Sequence, residues 1–245
     1  MLEFHGETDV GKRRQLNEDS IYAGDGLFIV CDGMGGHKAG EVASKLATDA
    51  IANFVKRSAE DPELTWPYGF DPRLSYDGNR LITAIKLANR IVFRKAMSSD
   101  DYSGMGTTVV ALLCSPGRSE MTYGHVGDSR LYLIRGATMA QLTKDDSWVN
   151  LVSPADTSVM KNVLTKALGA REDVEFDVVS RPLQPGDVML LCSDGLTNML
   201  SDAAIVEIVC APGRDLEAAC RHLVAEANAQ GGRDNVSALL VRFGG

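Results

Sequence analysis

The sequence predicts an α+β fold in which antiparallel sheets are covered by long amphipathic helices. Three observations point there. Short apolar runs come in pairs around turns that contain Gly and Asp, as hairpins do. These runs do not alternate strictly with helices, as a doubly wound parallel sheet requires. Two longer segments repeat their apolar residues at three- and four-residue steps.

Residues 20–23 and 27–31 flank Gly24-Asp25-Gly26 and read as a hairpin. Residues 38–57 read as a helix whose apolar stripe is Val42, Leu46, Ala50, Phe54 and Val55. Residues 58–77, rich in Pro, Asp and Gly, read as a loop. A second helix is expected over about 78–97, with Leu81, Ile85, Ala88 and Val92 facing inward. Strands are expected over 107–114, 121–126 and 130–135, punctuated by Gly117 and by Gly127-Asp128. Residues 145–168 are short in period and read as weakly helical. Strands at 174–179 and 188–192, helices at roughly 201–210 and 214–229, and a closing strand at 235–243 complete the chain.

The chain has 245 residues, enough to bury a sizeable core without disulfides, and it reads as one domain over 1–245. Lys and Arg total 25 against 33 Asp and Glu, a formal charge of −8. Such a surface repels nucleic-acid phosphates and anionic lipid, so neither partner is expected. The N-terminus carries no basic segment followed by an apolar run, and no apolar stretch approaches the ~18 residues of a membrane span. The five cysteines, Cys31, Cys114, Cys192, Cys210 and Cys220, are scattered, which suits buried reduced thiols in a cytoplasmic protein.

One feature recurs along the chain. An apolar run ends and an Asp follows at once, with Gly beside it: residues 27–31 lead into Asp32-Gly33, residues 188–193 into Asp194-Gly195, and residues 123–127 into Asp128. Asn17-Glu18-Asp19 precedes another strand, and Asp234-Asn235 precedes the last one. Any one pair is explained by turn formation, since Asp and Gly belong where strands end. The set asks for more. Clustered carboxylates repel one another unless a cation lies among them. No Cys or His grouping has zinc spacing, so the cation would be hard, Mg²⁺ or Mn²⁺. Two such ions can ionise a water and clamp a phosphoryl group during in-line displacement. Arg14, just before Glu18 and Asp19, suits a bidentate grip on phosphate oxygens.

Other routes to phosphate chemistry are not encoded. A Cys followed after five residues by Arg is missing: six places after Cys31 stands His37, and six after Cys114 stands Glu120. Gly127-Asp128 continues as Ser129-Arg130, without the His of a calcineurin-like site. No Gly-Lys pair precedes Ser or Thr as in a Walker A loop, and the Gly-x-Ser-x-Gly elbow is absent.

The ordered set resembles the protein phosphatase 2C family. The matching segments are Gly11 to Asp19, Val30-Cys31-Asp32-Gly33-Met34-Gly35-Gly36-His37, Ser103 to Thr108, Val126-Gly127-Asp128-Ser129-Arg130, Ser193-Asp194-Gly195-Leu196 and Gly232-Arg233-Asp234-Asn235. They follow the family's order over nearly the whole chain, and the Asp-Gly-Met-Gly-Gly-His form has a bacterial look. The resemblance implies a four-layer α-β-β-α sandwich, two central antiparallel sheets flanked by antiparallel helices, with a metal cleft at one edge. It implies that Asp32 bridges two Mn²⁺ or Mg²⁺ ions, that Gly33 offers its carbonyl, and that Asp194 and Asp234 complete the pair. Glu18 and Asp19 would bind directly or through water, Asp128 would share a third ion with Asp194, and Arg14 would hold the substrate phosphate. No organic cofactor is implied.

The implied activity is hydrolysis of phosphoserine and phosphothreonine in proteins by a monomer, opposing a bacterial Ser/Thr kinase. A catalytically inactive binding module is the opposite class; it would have lost metal acids, and none is lost. A phosphatase for small metabolites is a third reading. The short chain also resembles phosphatases tied to type VI secretion. Two departures stand out. Met34 occupies the position where eukaryotic relatives place a His, the proposed general acid, and His37 lies further on. Residues 143–165, the flap beside the cleft, are shorter than usual.

Overall fold

The computed structural model describes residues 1–36, 39–61, 63–115, 117–147 and 164–244. Its two sheets are antiparallel throughout. The first has the order β1 (Leu2–Asp9), β11 (Val236–Phe243), β10 (Val188–Cys192), β7 (Arg130–Arg135), β8 (Thr138–Gln141). The second runs β2 (Asp19–Gly24), β3 (Leu27–Met34), β5 (Val109–Leu113), β6 (Glu120–Val126), β9 (Val178–Pro182), with the short β4 (Gly106–Thr107) paired to the end of β3.

Three apolar layers hold these sheets and their helices together. Leu27, Ile29 and Cys31 of β3 face α1 (Ala39–Glu60) and α2 (Tyr76–Ala96). Phe28 and Val30 face the opposite way, onto Leu131, Met189, Leu191, Leu239 and Val241 of the first sheet. Leu190, Cys192, Ala238 and Leu240 turn outward onto α4 (Asp202–Val209) and α5 (Leu216–Ala229). A central strand is thus apolar on both faces, which is why residues 27–31 and 188–192 read as continuous runs rather than alternations. The result is the four-layer α-β-β-α sandwich.

The helices α1 and α2 form an antiparallel pair. Tyr76 at the start of α2 donates to the Ser58 carbonyl near the end of α1, and Arg80 donates to the Val55 carbonyl. The α2 stripe Leu81, Ile85, Ala88 and Val92 is fully buried, as its spacing predicts. On α1 Val55 is buried as its spacing predicts, but the rest of the buried face is shifted by one residue. Ala43, Ala47, Ile51 and Val55 are buried, while Val42, Leu46, Ala50 and Phe54 sit half-buried beside them. Small residues occupy the contact because the helix lies close on its partner and on β3.

Several elements escape the sequence reading. β1 is one: its edge position leaves it polar, and Gly6 interrupts its pattern where Ile21 and Leu239 approach closely. β8 is an exposed edge strand of four residues. β9 begins at Val178, not 174. The short α3 (Asp194–Thr197) follows β10 directly. No helix forms over 145–147 or 164–168; Ser147 and Leu164 instead pair as an isolated bridge, and residues 148–163 lie outside the described residues. Cys210 is exposed, contrary to the expectation of burial, whereas the other four thiols are buried. Among the described residues no helix is long and apolar enough to cross a membrane.

Candidate active site

The strand ends that carry the acids meet at one edge of the sandwich. Asp19 opens β2 and stands opposite Asp32 on β3. Asp194 opens α3 after β10, Asp234 precedes β11, and Asp128 sits in the turn from β6 to β7. The two sheets therefore contribute from opposite sides. They enclose a cleft of about 550 Å³ lined by Arg14, Glu18, Asp32, Gly33, Asp128, Asp194 and Asp234, with Met34, Thr108 and Leu164–Ala167 completing the wall.

Backbone and hydroxyl groups hold the floor rigidly. The Asp32 amide donates to the Thr108 Oγ1 at 2.9 Å, and the Asp32 carbonyl accepts from the Thr108 amide at 2.8 Å and the Thr107 hydroxyl at 2.9 Å. Gly33 donates its amide to the Glu18 carbonyl at 3.0 Å. A Cβ on Gly33 would overlap the Gly40 carbonyl, so only glycine lets the start of α1 approach β3 this closely. Asn235 is the hub of the loop that carries Arg14. Its Oδ1 accepts from the Glu18 amide at 2.8 Å, and its Nδ2 donates to the carbonyls of Val10 at 2.9 Å and Leu16 at 2.8 Å.

Asp19 lies behind the cleft lining, nearly buried at 9% exposure. Its Oδ2 accepts from the hydroxyls of Ser193 at 2.8 Å and Ser237 at 2.6 Å; Ser237 lies in β11 of the other sheet, and Ser193 directly follows that sheet's β10. Burial, only partly offset by those bonds and reinforced by Asp194 and Asp234, pushes its carboxyl up to about 7. Burial pushes Asp32 well above the ordinary range, with the charges of Asp19, Asp194, Asp128 and Asp234 adding to it. Asp128 is pushed up to about 7 by burial and by Asp194 and Asp145. Asp194 is raised by burial and by Asp234, and Glu18 by burial against the opposing pull of Arg14.

Such a set suits hard divalent cations. Glu18 Oε1 and Asp19 Oδ1 are buried without a hydrogen-bond partner, an arrangement that costs free energy unless something positive meets them. All the side-chain donors are oxygens, the chemistry of Mg²⁺ and Mn²⁺. Among the described residues no three acids already converge into a closed ligand shell. Two of them are engaged elsewhere: Asp234 Oδ2 accepts from Arg14 Nη2 at 2.7 Å, and Asp194 Oδ2 from Asn198 Nδ2 at 2.9 Å. Arg14 stands half-exposed at the mouth.

The comparisons with known proteins agree with this geometry. The family model described as "Protein phosphatase 2C" matches residues 11–240. The chain belongs to the protein phosphatase 2C family. A serine/threonine phosphatase stp of Listeria innocua is 37% identical, over 97% of this chain and 95% of its own length. Among solved structures, the catalytic domain of the phosphatase PstP in complex with two manganese ions is 33% identical, with a TM-score of 0.82 over 100% of this chain and 99% of that one. PppA, a regulatory component of the type VI secretion system in Pseudomonas aeruginosa, is 32% identical, with a TM-score of 0.81 over 98% and 97%. The phosphatase 2C cleft in this chain has Met34 on its wall, and His37 lies outside the described residues.

Sequence reasoning singled out the acids but assigned no role to Asn235, Ser193, Ser237 or Lys166. Ser237 had a signal available: a small polar residue inside the otherwise apolar, buried stretch Val236–Val241 of β11 marks a buried partner waiting for it.

Proposed function

We propose that this phosphatase 2C hydrolyses phosphoserine and phosphothreonine in proteins, with Mn²⁺ or Mg²⁺ as its cofactor. One observation carries the reading: buried, mutually repelling carboxylates from the ends of two sheets face a common cleft with an arginine at its mouth. Asp32, the Gly33 carbonyl, Asp194 and Asp234 would hold two ions, assisted by Glu18 and Asp19, and Asp128 with Asp194 would hold a third. When bound, such ions neutralise the transferring phosphoryl group and lower the pKa of water. Arg14 would orient the phosphate through paired N–H donors, leaving Asp234 free for its ion.

The whole chain would act as one catalytic domain, a cytoplasmic monomer whose substrates are the products of a Ser/Thr kinase. The relatives named as serine/threonine phosphatases support protein substrates over small metabolites, and intact acids speak against an inactive binding module. The test is turnover of a phosphothreonine peptide with Mn²⁺, then with chelator, then with Mn²⁺ restored. The expected result is loss and recovery. Full turnover after exhaustive chelation, or loss on thiol alkylation with metal present, would refute the reading.

A further inference from the structure

Asp146 lies outside the acid set, yet each of its polar groups is engaged. Its amide donates to the Gly127 carbonyl at 2.9 Å, and its Oδ2 accepts from the Gly127 amide at 3.2 Å. Its own carbonyl accepts from the Thr165 amide at 2.8 Å, and its Oδ1 lies 3.5 Å from Lys166 Nζ. The neighbouring Asp145 points elsewhere, gripping Arg130 of β7 through two oxygens. One residue thus ties together the turn before Asp128 and the wall segment Thr165–Lys166. Both belong to the cleft lining or abut it.

We propose that Asp146 is a positioning residue, a clasp that makes the Asp128 turn and the Lys166 wall one unit and so sets the surface a protein substrate meets. Lys166 is a cation on the wall of a cleft full of carboxylates, and an untethered ammonium would be drawn onto them. Two contacts hold it back: Asp146 Oδ1, and the Glu175 carbonyl that accepts from Nζ at 3.1 Å. Gly127 has a positive φ of 102°, and a Cβ there would crowd Thr108, so the turn is confined on one side and clasped by Asp146 on the other. A small aryl phosphate needs only Arg14 and the acids of the first two ions, Asp32, Asp194 and Asp234, none of which the clasp touches. A polypeptide carrying the phosphate also runs along the wall formed by Leu164–Ala167. The clasp therefore bears on peptide substrates more than on aryl phosphates.

The kinetic part rests on the phosphatase reading; the exchange part does not. Amide hydrogen exchange of metal-free protein, and kinetics at saturating Mn²⁺ on a phosphothreonine peptide and on p-nitrophenyl phosphate, are measured for wild type, Asp146→Ala and Asp146→Asn. In Asp146→Ala, exchange should rise about tenfold in the segments around both Gly127 and Thr165, the worth of one lost hydrogen bond, with the β5–β6 ladder unchanged. KM for the peptide should rise about five- to tenfold while kcat on the aryl phosphate stays within about twofold. Asp146→Asn keeps an acceptor for the Gly127 amide and should restore protection there, but it lacks the charge facing Lys166 and should recover the peptide KM only in part. Unchanged exchange at either segment, faster exchange throughout the molecule in both variants, or equal losses on the two substrates would overturn the proposal. Failure of the phosphatase reading would look different: wild type itself would not turn over the peptide.

Discussion

The sharpest consequence of the cleft's electrostatics concerns Asp19. Its carboxyl is raised from 3.8 to about 7 in the folded protein, so the fold favours its neutral form. The stabilisation is fully present below pH 3.8 and is lost as pH rises through 7. A shift of this size corresponds to about 4 kcal/mol in all. Linkage places more than half of that, roughly 2–3 kcal/mol, between pH 5 and pH 8. Asp19→Asn has the same shape and no charge, and its Oδ1 can accept from Ser193 and Ser237 as Asp19 Oδ2 does. In chelator, the melting temperature of Asp19→Asn relative to wild type should therefore climb by about 5–10 °C between pH 5 and pH 8. Comparing the two pH values cancels any packing or hydrogen-bond cost common to both. Mn²⁺ at pH 8 should raise the wild-type melting temperature and narrow the gap. If the two proteins keep a constant separation across this range, Asp19 does not carry the buried charge argued for it.

Asp32→Asn should nearly abolish turnover of the phosphopeptide at saturating Mn²⁺ while circular dichroism stays native, because it removes the charge on which those of Asp19, Asp194, Asp128 and Asp234 all bear; near wild-type rates would reject the two-ion site. Arg14→Ala should lower kcat/KM about ten- to hundred-fold, mostly through KM, since a charge-assisted pair to phosphate is worth about 1.5–3 kcal/mol. Its melting temperature should move little, because the half-exposed pair with Asp234 is worth about 0–1 kcal/mol. Asp77→Ala strands the buried Arg80 guanidinium on the far side of the helix pair. It should cost about 3–5 kcal/mol in denaturant melts without touching KM, and Arg80→Met in the same chain should recover part of the loss.

How much of this was legible in the sequence depends on what each residue answers to. The paired sheets, the α2 stripe and the acids at strand ends were readable because periodicity and Asp-Gly punctuation are local signals. The buried face of α1 was misplaced by one residue because packing against α2 and β3 selects small Ala43 and Ala47 over the larger Val42 and Leu46. β1 and β8 went unread because edge strands bury one side at most and keep polar residues. Asp19 was read as binding an ion directly or through water; its place behind the lining was not legible, because it depends on Ser193 and Ser237, partners far away in the chain. The supporting role of Asn235 was hidden for the same reason, since its bonds to Val10, Leu16 and Glu18 join opposite ends of the sequence.

That long reach has a consequence for how the protein comes into being. Arg14 and Asp234 are separated by 220 positions, Glu18 and Asn235 by 217, and Asp19 and Ser237 by 218. The strand that brings the second member of each pair, β11, is inserted between β1 and β10 and is made after all the other strands and helices of the two sheets' sandwich. During synthesis, chains emerge N-terminus first and contacts of long sequence separation form late. A nascent chain on the ribosome can fold the β2–β3 hairpin and its helices, but it cannot assemble a working cleft until β11 has been released. Prematurely terminated products lacking β11 would therefore be inert towards phosphoproteins, and translation yields no partly active phosphatase before β11 has been made.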